Sequence, residues 1–275
     1  MKLSVIVCAK NSESTIKECL ESVRNNNPSE IILIHGKSSD NTLKIARKYV
    51  DSVYSDKGKG LSYARQLGAK KAKESLISYT DADTVVPKNC YKSLIREMRE
   101  NSWVSIHAQI VSPKNHNYLE WAEDVHFRVL FNNFGRRHRI GTIVTVWEKS
   151  KVLSFGFDSF MNRTSEDQDL CVRLVNAGFS LGVGSVEAFH RHRTNFRSFV
   201  KQKFQYGWGN ARMAWKHKSP KFLVNWLLSV PYGFYRVSGK FGLFTGFKML
   251  PYYFLNAFCV GFGVFYEFFK LVLGV

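Results

Sequence analysis

Two short acidic clusters hold the chemistry this sequence can perform. In Tyr79-Thr80-Asp81-Ala82-Asp83, the carboxylates of Asp81 and Asp83 stand two residues apart at the end of an apolar run. In an extended turn that spacing lets both converge on one hard divalent cation. Mg2+ or Mn2+ held by few protein ligands completes its shell with phosphate oxygens, which favours a nucleoside diphosphate. The second cluster, Ser165-Glu166-Asp167-Gln168-Asp169, precedes the helically spaced apolar residues Cys171, Leu174 and Val175 and the stop Asn176-Ala177-Gly178. Ser165 or Thr164 can cap that helix, setting Glu166 and Asp167 in its first turn, where the helix dipole favours ionised carboxylates. A carboxylate held ionised near a metal-diphosphate site is a candidate general base, and plain helix N-terminal acidity is the alternative. His190 offers either a further metal ligand or a hydrogen-bonded structural imidazole, and His192 reads as structural. Neither a Ser/His or Cys/His nucleophile motif nor a glycine-rich triphosphate loop of the usual kind occurs in the chain.

Residues so far apart in sequence need a scaffold that gathers them. Leu3 to Cys8 is a continuous, β-branched apolar run of the kind buried on both faces of a parallel sheet, and it reads as a first strand, not a signal peptide. A helix follows to about Asn26, capped by Asn11 or Ser12, with Ile16, Leu20 and Val23 on one face. The unit repeats: strand Ile31–Ile34, cap Ser38-Ser39-Asp40, and a helix marked by Leu43, Ala46 and Val50. A short strand at 52–54, the loop Lys57-Gly58-Lys59-Gly60, a helix through Leu61, Ala64, Gly68 and Ala72, and strand Leu76–Thr80 come next. Strands alternating with amphipathic helices predict βαβ units and an open parallel sheet with ligands outside the carboxyl ends of its strands.

The net charge of +18, from 40 Lys and Arg against 22 Asp and Glu, implies an anionic partner: nucleic acid, a phosphorylated substrate or an acidic membrane surface. With 45% hydrophobic and 15% aromatic content the chain is not a disordered basic tail. Five scattered cysteines without paired spacing indicate neither a disulfide framework nor a zinc finger and fit a reducing compartment. Residues 191–218 carry eight Lys and Arg, Arg193 among them, and no acid, interleaved with aromatic side chains. Beyond them Met249 to Tyr266 is an uncharged stretch of 18 residues, near the lower limit for a membrane span, but Pro251, Gly261 and Gly263 interrupt it. Its aromatic content suits an interface-seated helix or a kinked hairpin as well as a span.

Taken together, these motifs resemble the family-2 inverting glycosyltransferases of the nucleotide-diphospho-sugar, GT-A type. Val5 to Asn11 looks like that family's first strand and loop, and Glu30 to Thr42 like its second strand and Asp-rich turn. Lys59 to Gly68 is similar to its Gly-x-x-x-Ala-Arg-Asn-x-Gly element, Asp81-Ala82-Asp83 to its DxD, and Glu166 to Leu170 to the ED motif that carries the base. His190 to Arg212 is similar to the block that closes the catalytic domain in membrane-linked members.

The resemblance implies an α/β GT-A fold, Rossmann-like with a mainly parallel sheet and flanking helices, followed by a C-terminal apolar helical segment. It implies catalysis by Asp167, with Glu166 beside it, and a donor site of Ala9, Asn11, Glu13, His35, Asp40, Arg65, Asp81 and Asp169. Asp83, Asp81 and His190 would hold Mg2+ or Mn2+. The implied partners are a UDP- or GDP-sugar, a lipid-linked or glycan acceptor and an anionic membrane surface, with nucleic acid disfavoured. Two departures from the pattern stand out: His35-Gly36 replaces the usual Asp-Asp or Asp-Gly beside the base, and Gln66 replaces Asn after Arg65. Gln202, Arg212 and a turn at Tyr206-Gly207-Trp208-Gly209 are candidates for a lid. Residues 1–212 read as the catalytic domain and 213–275 as a basic, apolar helical segment that holds the protein at the cytoplasmic face of the cell membrane.

Overall fold

The structure is a computed structural model that describes residues 2–112, 117–161, 163–192 and 195–274. Arg193 lies outside the described residues. By internal packing the chain forms two units, one built on a β-sheet and the other on helices.

The first unit begins with three parallel strands, β1 (Ser4–Ala9), β2 (Glu30–His35) and β3 (Ser52–Ser55). They alternate with helices α1 (Ile16–Arg24), α2 (Thr42–Ala46) and α3 (Leu61–Lys71). Strand β4 (Leu76–Asp81), the short β5 (Thr84–Val85), α4 (Cys90–Glu100) and β6 (Ser105–Val111) follow. After α5 (Tyr118–Leu130) of the second unit come β7 (Gly135–Arg137), β8 (Thr145–Glu148), α6 (Lys149–Phe155), α7 (Glu166–Asn176) and β9 (Leu181–His190). The described sheet runs β3-β2-β1-β4-β8-β6-β9-β5, with β7 on β9. Strand β8 is antiparallel to both its neighbours. Apolar side chains explain the centre: Val5, Ile6, Val7, Ile31, Ile32 and Leu33 are all fully buried, as a sheet covered on both faces requires.

Two details fix where the site falls. Register pairs Ala9 with His35 and Cys8 with Asp81, so β1, β2 and β4 end level with one another. Helix α3 lies against β1 because Gly68 has no side chain there: a Cβ would stand 2.4 Å from Ile6 Cγ2. Helix α1 starts at Ile16 rather than beside Asn11, and α2 stops at Ala46, short of Val50. There Tyr49 N–H bonds the carbonyl of Ala46, a three-residue step that tightens the last turn and ends the helix.

The second unit holds α5, α8 (Phe196–His217), α9 (Lys221–Val224), α10 (Ser229–Phe241) and α11 (Leu243–Leu273). Its core gathers Val125 and Val129 of α5, Phe199 of α8, Val237 of α10 and Met249, Tyr252 and Tyr253 of α11. Helix α11 runs unbroken through Pro251, and the kinked hairpin is not found within it; the chain instead turns at Gly242, φ 85°. The segment Tyr206–Gly209 is helical interior rather than a turn. Its first glycine serves packing, since a Cβ on Gly207 would stand 1.9 Å from the Val260 carbonyl oxygen, and one on Gly263 2.1 Å from that of Phe204. The basic stretch is not one exposed face either. Lys203 is 3% exposed and ion-paired with Glu123, whose Oε1 also accepts from Tyr252 Oη at 3.0 Å.

Removing one partner of such a pair strands a charge, whereas removing both does not. Lys203→Met is expected to destabilise the second unit by about 3–5 kcal/mol and Lys203→Met with Glu123→Leu by much less. Chemical denaturation of the single and double variants measures the difference.

Candidate active site

The site forms where β4 stops. Past Asp81 the chain turns into β5, whose Thr84 pairs with His190 at the end of β9, so Asp83 meets the imidazole. His190 Nε2 lies 3.2 Å from Asp83 Oδ1. One ligand atom from each of Asp81, Asp83 and His190 falls within 4.8 Å of the other two, and all three side chains are half-buried. Two carboxylates and an imidazole form a donor set suited to Mg2+ or Mn2+, and so few protein ligands leave coordination positions for phosphate oxygens. Burial, helped by the neighbouring Asp83 charge, pushes the Asp81 carboxyl up to about 6 against the pull of Arg65. The repulsion between these carboxylates is what a divalent cation relieves.

Arg65, 5% exposed on α3, stands between the two acidic clusters. Its Nη1 pairs with Glu166 and its Nη2 lies 3.5 Å from Asp81 Oδ1, while Tyr79 Oη donates to its backbone carbonyl at 3.0 Å. Glu166 is 2% exposed, so its carboxylate holds Arg65 and is withdrawn from solvent. Asp167 is half-buried, with Oδ1 accepting from Gln168 N–H at 2.7 Å and Oδ2 from Thr142 Oγ1 at 3.3 Å. Of the two acids, Asp167 is the more open to solvent. Asp169 is not brought to this group: it is fully buried and ion-paired at 2.8 Å with Arg173, which in turn bonds the carbonyls of Phe155 and Gly156.

Asn11, Glu13 and Asp40 are brought together, chiefly to join two loops. Asn11, at φ 52°, accepts from Ser39 N–H at 2.9 Å; Glu13 accepts from Asn41 N–H at 2.8 Å; Asp40 accepts from Glu13 N–H at 3.1 Å. The rim is closed by Gly36 N–H donating to the Ala9 carbonyl at 2.9 Å. Ser38 N–H donates to His35 Nε2 at 3.1 Å, so the neutral ring carries its proton on Nδ1. Gln66, in place of Asn, accepts from Phe157 N–H at 2.9 Å and braces the loop after α6.

Thr142 and His107 belong to none of the sequence motifs. The bond from Thr142 to Asp167 needs α7 and the segment before β8 to meet in three dimensions. His107, 6% exposed on β6, faces Gly141: a Cβ there would stand 3.4 Å from His107 Nε2 and 3.9 Å from Asp167 Oδ2. His107 Nδ1 bonds the Ala108 carbonyl, and Nε2 has no hydrogen-bond partner among the described residues. Cys8, opposite Asp81 in the sheet, has its thiol pushed up to about 12 by burial.

Comparison with known proteins places this architecture. The sequence profile of the family described as Glycosyl transferase family 2 matches residues 4–160. The cholesterol galactosyltransferase of Borreliella burgdorferi is 29% identical over 170 residues, covering 54% of this chain and 47% of that protein. This chain thus spans about half the length of that relative. Among solved structures, S. aureus TarS 1-349 in complex with UDP-GlcNAc matches with a TM-score of 0.57 at 15% identity, covering 100% of this chain and 92% of that one. Glucosyl-3-phosphoglycerate synthase from Mycobacterium tuberculosis, in complex with Mn2+, UDP and glucosyl-3-phosphoglycerate, matches with a TM-score of 0.56 at 14% identity, covering 77% and 78%. The fold expected from sequence, an α/β sheet of GT-A type with an apolar C-terminal helix, is the fold found.

Arg65→Met leaves the buried Glu166 and Asp81 without their cation and is expected to cost about 3–5 kcal/mol, read by denaturant melts; Arg65→Lys recovers only part, lacking the fork. His107 gives a pH signature. Burial pulls its imidazole down to about 4 from 6.5, with His190 adding to the fall, so the unfolded chain takes up the proton first. Its contribution is complete above about pH 6.5 and lost as pH falls toward 4, about 3 kcal/mol in all. His107→Phe should flatten that part of the pH dependence of the melting temperature; an unchanged slope would count against it.

Proposed function

The chain belongs to glycosyl transferase family 2, and from that membership we propose that it moves a sugar from a nucleoside-diphosphate donor to a hydroxyl acceptor with inversion at the anomeric carbon. What supports this is the meeting of Asp81, Asp83 and His190 with Arg65 and a half-buried Asp167 at the carboxyl ends of the strands. Ala9, Asn11, Glu13, His35 and Asp40 form the donor side, and His35 meets the base with its Nδ1–H. Arg65, held by Glu166, keeps a positive charge beside the diphosphate. Asp81 and Asp83, with His190, hold Mg2+ or Mn2+. A bound cation supplies neutralisation of the charge that grows on the departing diphosphate. Asp167, oriented by Thr142, takes the proton of the acceptor hydroxyl as its oxygen attacks from the face opposite the leaving group.

The donor is a UDP- or GDP-sugar, in line with the UDP-GlcNAc and UDP bound by the two structural relatives. The acceptor is a lipid-linked or glycan hydroxyl, a reading supported by the name of the cholesterol galactosyltransferase relative. Residues 1–212 carry the transfer, and 213–275 hold the chain at the cytoplasmic face of the membrane.

Nucleotide release from UDP- and GDP-sugars, followed with and without Mn2+, tests the proposal. Asp83→Ala is expected to abolish Mn2+-dependent nucleotide binding. Asp167→Asn should retain that binding while transfer falls by about 10²–10⁴-fold. Full activity without metal in both variants would overturn the assignment.

A further inference from the structure

Helix α11 carries an unusual outer face. Phe247, Phe254, Phe258, Phe262, Phe265 and Phe269 recur at helical spacing and are each 60–72% exposed. The opposite face, with Tyr252, Tyr253, Val260, Val264 and Glu267, is buried. A stripe of bare phenylalanine along so long a helix is far more apolar surface than a solvated helix face presents. By composition α11 could cross a bilayer, with mean hydropathy 1.4 in its most apolar window.

Its neighbour forbids that. Helix α8 lies alongside α11 in the same direction: Phe199 meets Tyr252 at 5.8 Å, Phe204 meets Tyr266 at 5.5 Å, Arg212 Nε bonds Glu267 at 2.7 Å and Trp215 meets Phe268 at 6.3 Å. The glycine approaches of Gly207 and Gly263 lock the two together. A crossing α11 would therefore carry α8 with it, and with α8 the exposed Arg197 and Lys201 and the ion pair of Arg212 with Glu267. Charges at hydrocarbon depth are strongly disfavoured.

The charge of this region selects the occupant. Residues 195–274 hold eleven Lys and Arg and a single acid, Glu267, which is buried against Arg212. Lys218, Lys221, Lys240 and Lys248 are exposed, and Lys270 shares a shallow apolar groove with Phe262, Phe265, Tyr266 and Phe269. A second copy of the chain would bring the same cations against these, whereas an anionic lipid surface matches both the apolar stripe and its basic flanks.

We propose that α11 lies in the plane of an anionic membrane, its phenylalanine stripe seated among acyl chains and its flanking lysines on the headgroups, without crossing. This rests on the membrane attachment proposed above and specifies its mode.

Flotation of the full chain with vesicles of phosphatidylcholine, alone or mixed with phosphatidylglycerol, is the first measurement. Binding is expected to be at least about ten-fold tighter to the mixed vesicles, weaker in high salt, and reduced about ten-fold in Phe258→Ser with Phe262→Ser, both exposed positions. Nitroxides at Phe247→Cys, Phe258→Cys and Phe269→Cys then report depth. A helix in the plane gives one shallow depth at all three positions. A deeper 258 than 247 and 269 means crossing, which overturns the in-plane mode and leaves membrane attachment standing. Failure to bind any vesicle, with a dimer by light scattering, overturns both. Mn2+-dependent nucleotide binding in solution reads the transferase assignment separately from either result.

Discussion

Everything at the candidate site depends on keeping four acidic side chains close together in a partly dry place. Asp81, Asp83, Glu166 and Asp167 come from two segments widely separated in sequence, and their mutual repulsion would drive those segments apart. Arg65 opposes this from a buried position, touching Glu166 with one nitrogen and approaching Asp81 with another. The guanidinium fork makes this possible, because a planar cation with several donors can serve carboxylates on different elements at once. Helix α3 must therefore sit close to the sheet, and Gly68 against Ile6 is the packing that allows it. The Asp81 carboxyl stays raised because burial, and then the Asp83 charge, outweigh the pull of Arg65. A divalent cation at the strand ends would offset both.

Much of this was legible in the sequence, for definite reasons. Strands buried on both faces leave continuous apolar runs, so β1, β2 and β4 were readable, and with them the place where Asp81 and Asp83 emerge. Position within a helix was harder. Glu166, Asp167 and Asp169 share a first turn and a charge, and only the fold decides that Glu166 turns to Arg65, Asp169 to Arg173, and Asp167 to the open side. Likewise Asn11 and Asp40 have the residue types of helix caps. Asp40 does act locally, one oxygen accepting from Thr42 N–H at the start of α2, but its other oxygen and that of Asn11 accept from backbone N–H groups of a neighbouring loop, and a local pattern carries no record of a partner some thirty residues away. Charge misled in a similar way. A run of Lys and Arg reads as one basic face, but Lys203 and Arg212 point inward to Glu123 and Glu267, acids outside that run.

The two units use polar burial differently. At the strand ends, the buried cation Arg65 organises groups that remain partly open to ligands. Among the helices, Lys203 with Glu123 and Tyr252 is shut in, surrounded by the rings of Phe199, Tyr206 and Tyr252. Such a closed pair adds little net stability over apolar side chains of similar size, but it penalises any misregister of α5, α8 and α11, because a one-turn slip would leave charges unmatched. The glycine contacts between α8 and α11 impose the same register by steric means.

The thiol of Cys8 has a bearing on which metals the site will accept. It lies across the sheet from Asp81, close to a donor set that any divalent ion could sample. Soft ions such as Zn2+ or Cu+ gain their advantage over Mg2+ and Mn2+ chiefly from thiolate sulfur. Burial keeps this sulfur protonated far above physiological pH, as it does the nearby Cys19. Around Asp81, Asp83 and His190 the neighbourhood therefore presents carboxylate oxygen and imidazole nitrogen beside a thiol that burial keeps protonated, a donor set that suits hard cations better than thiophilic ones.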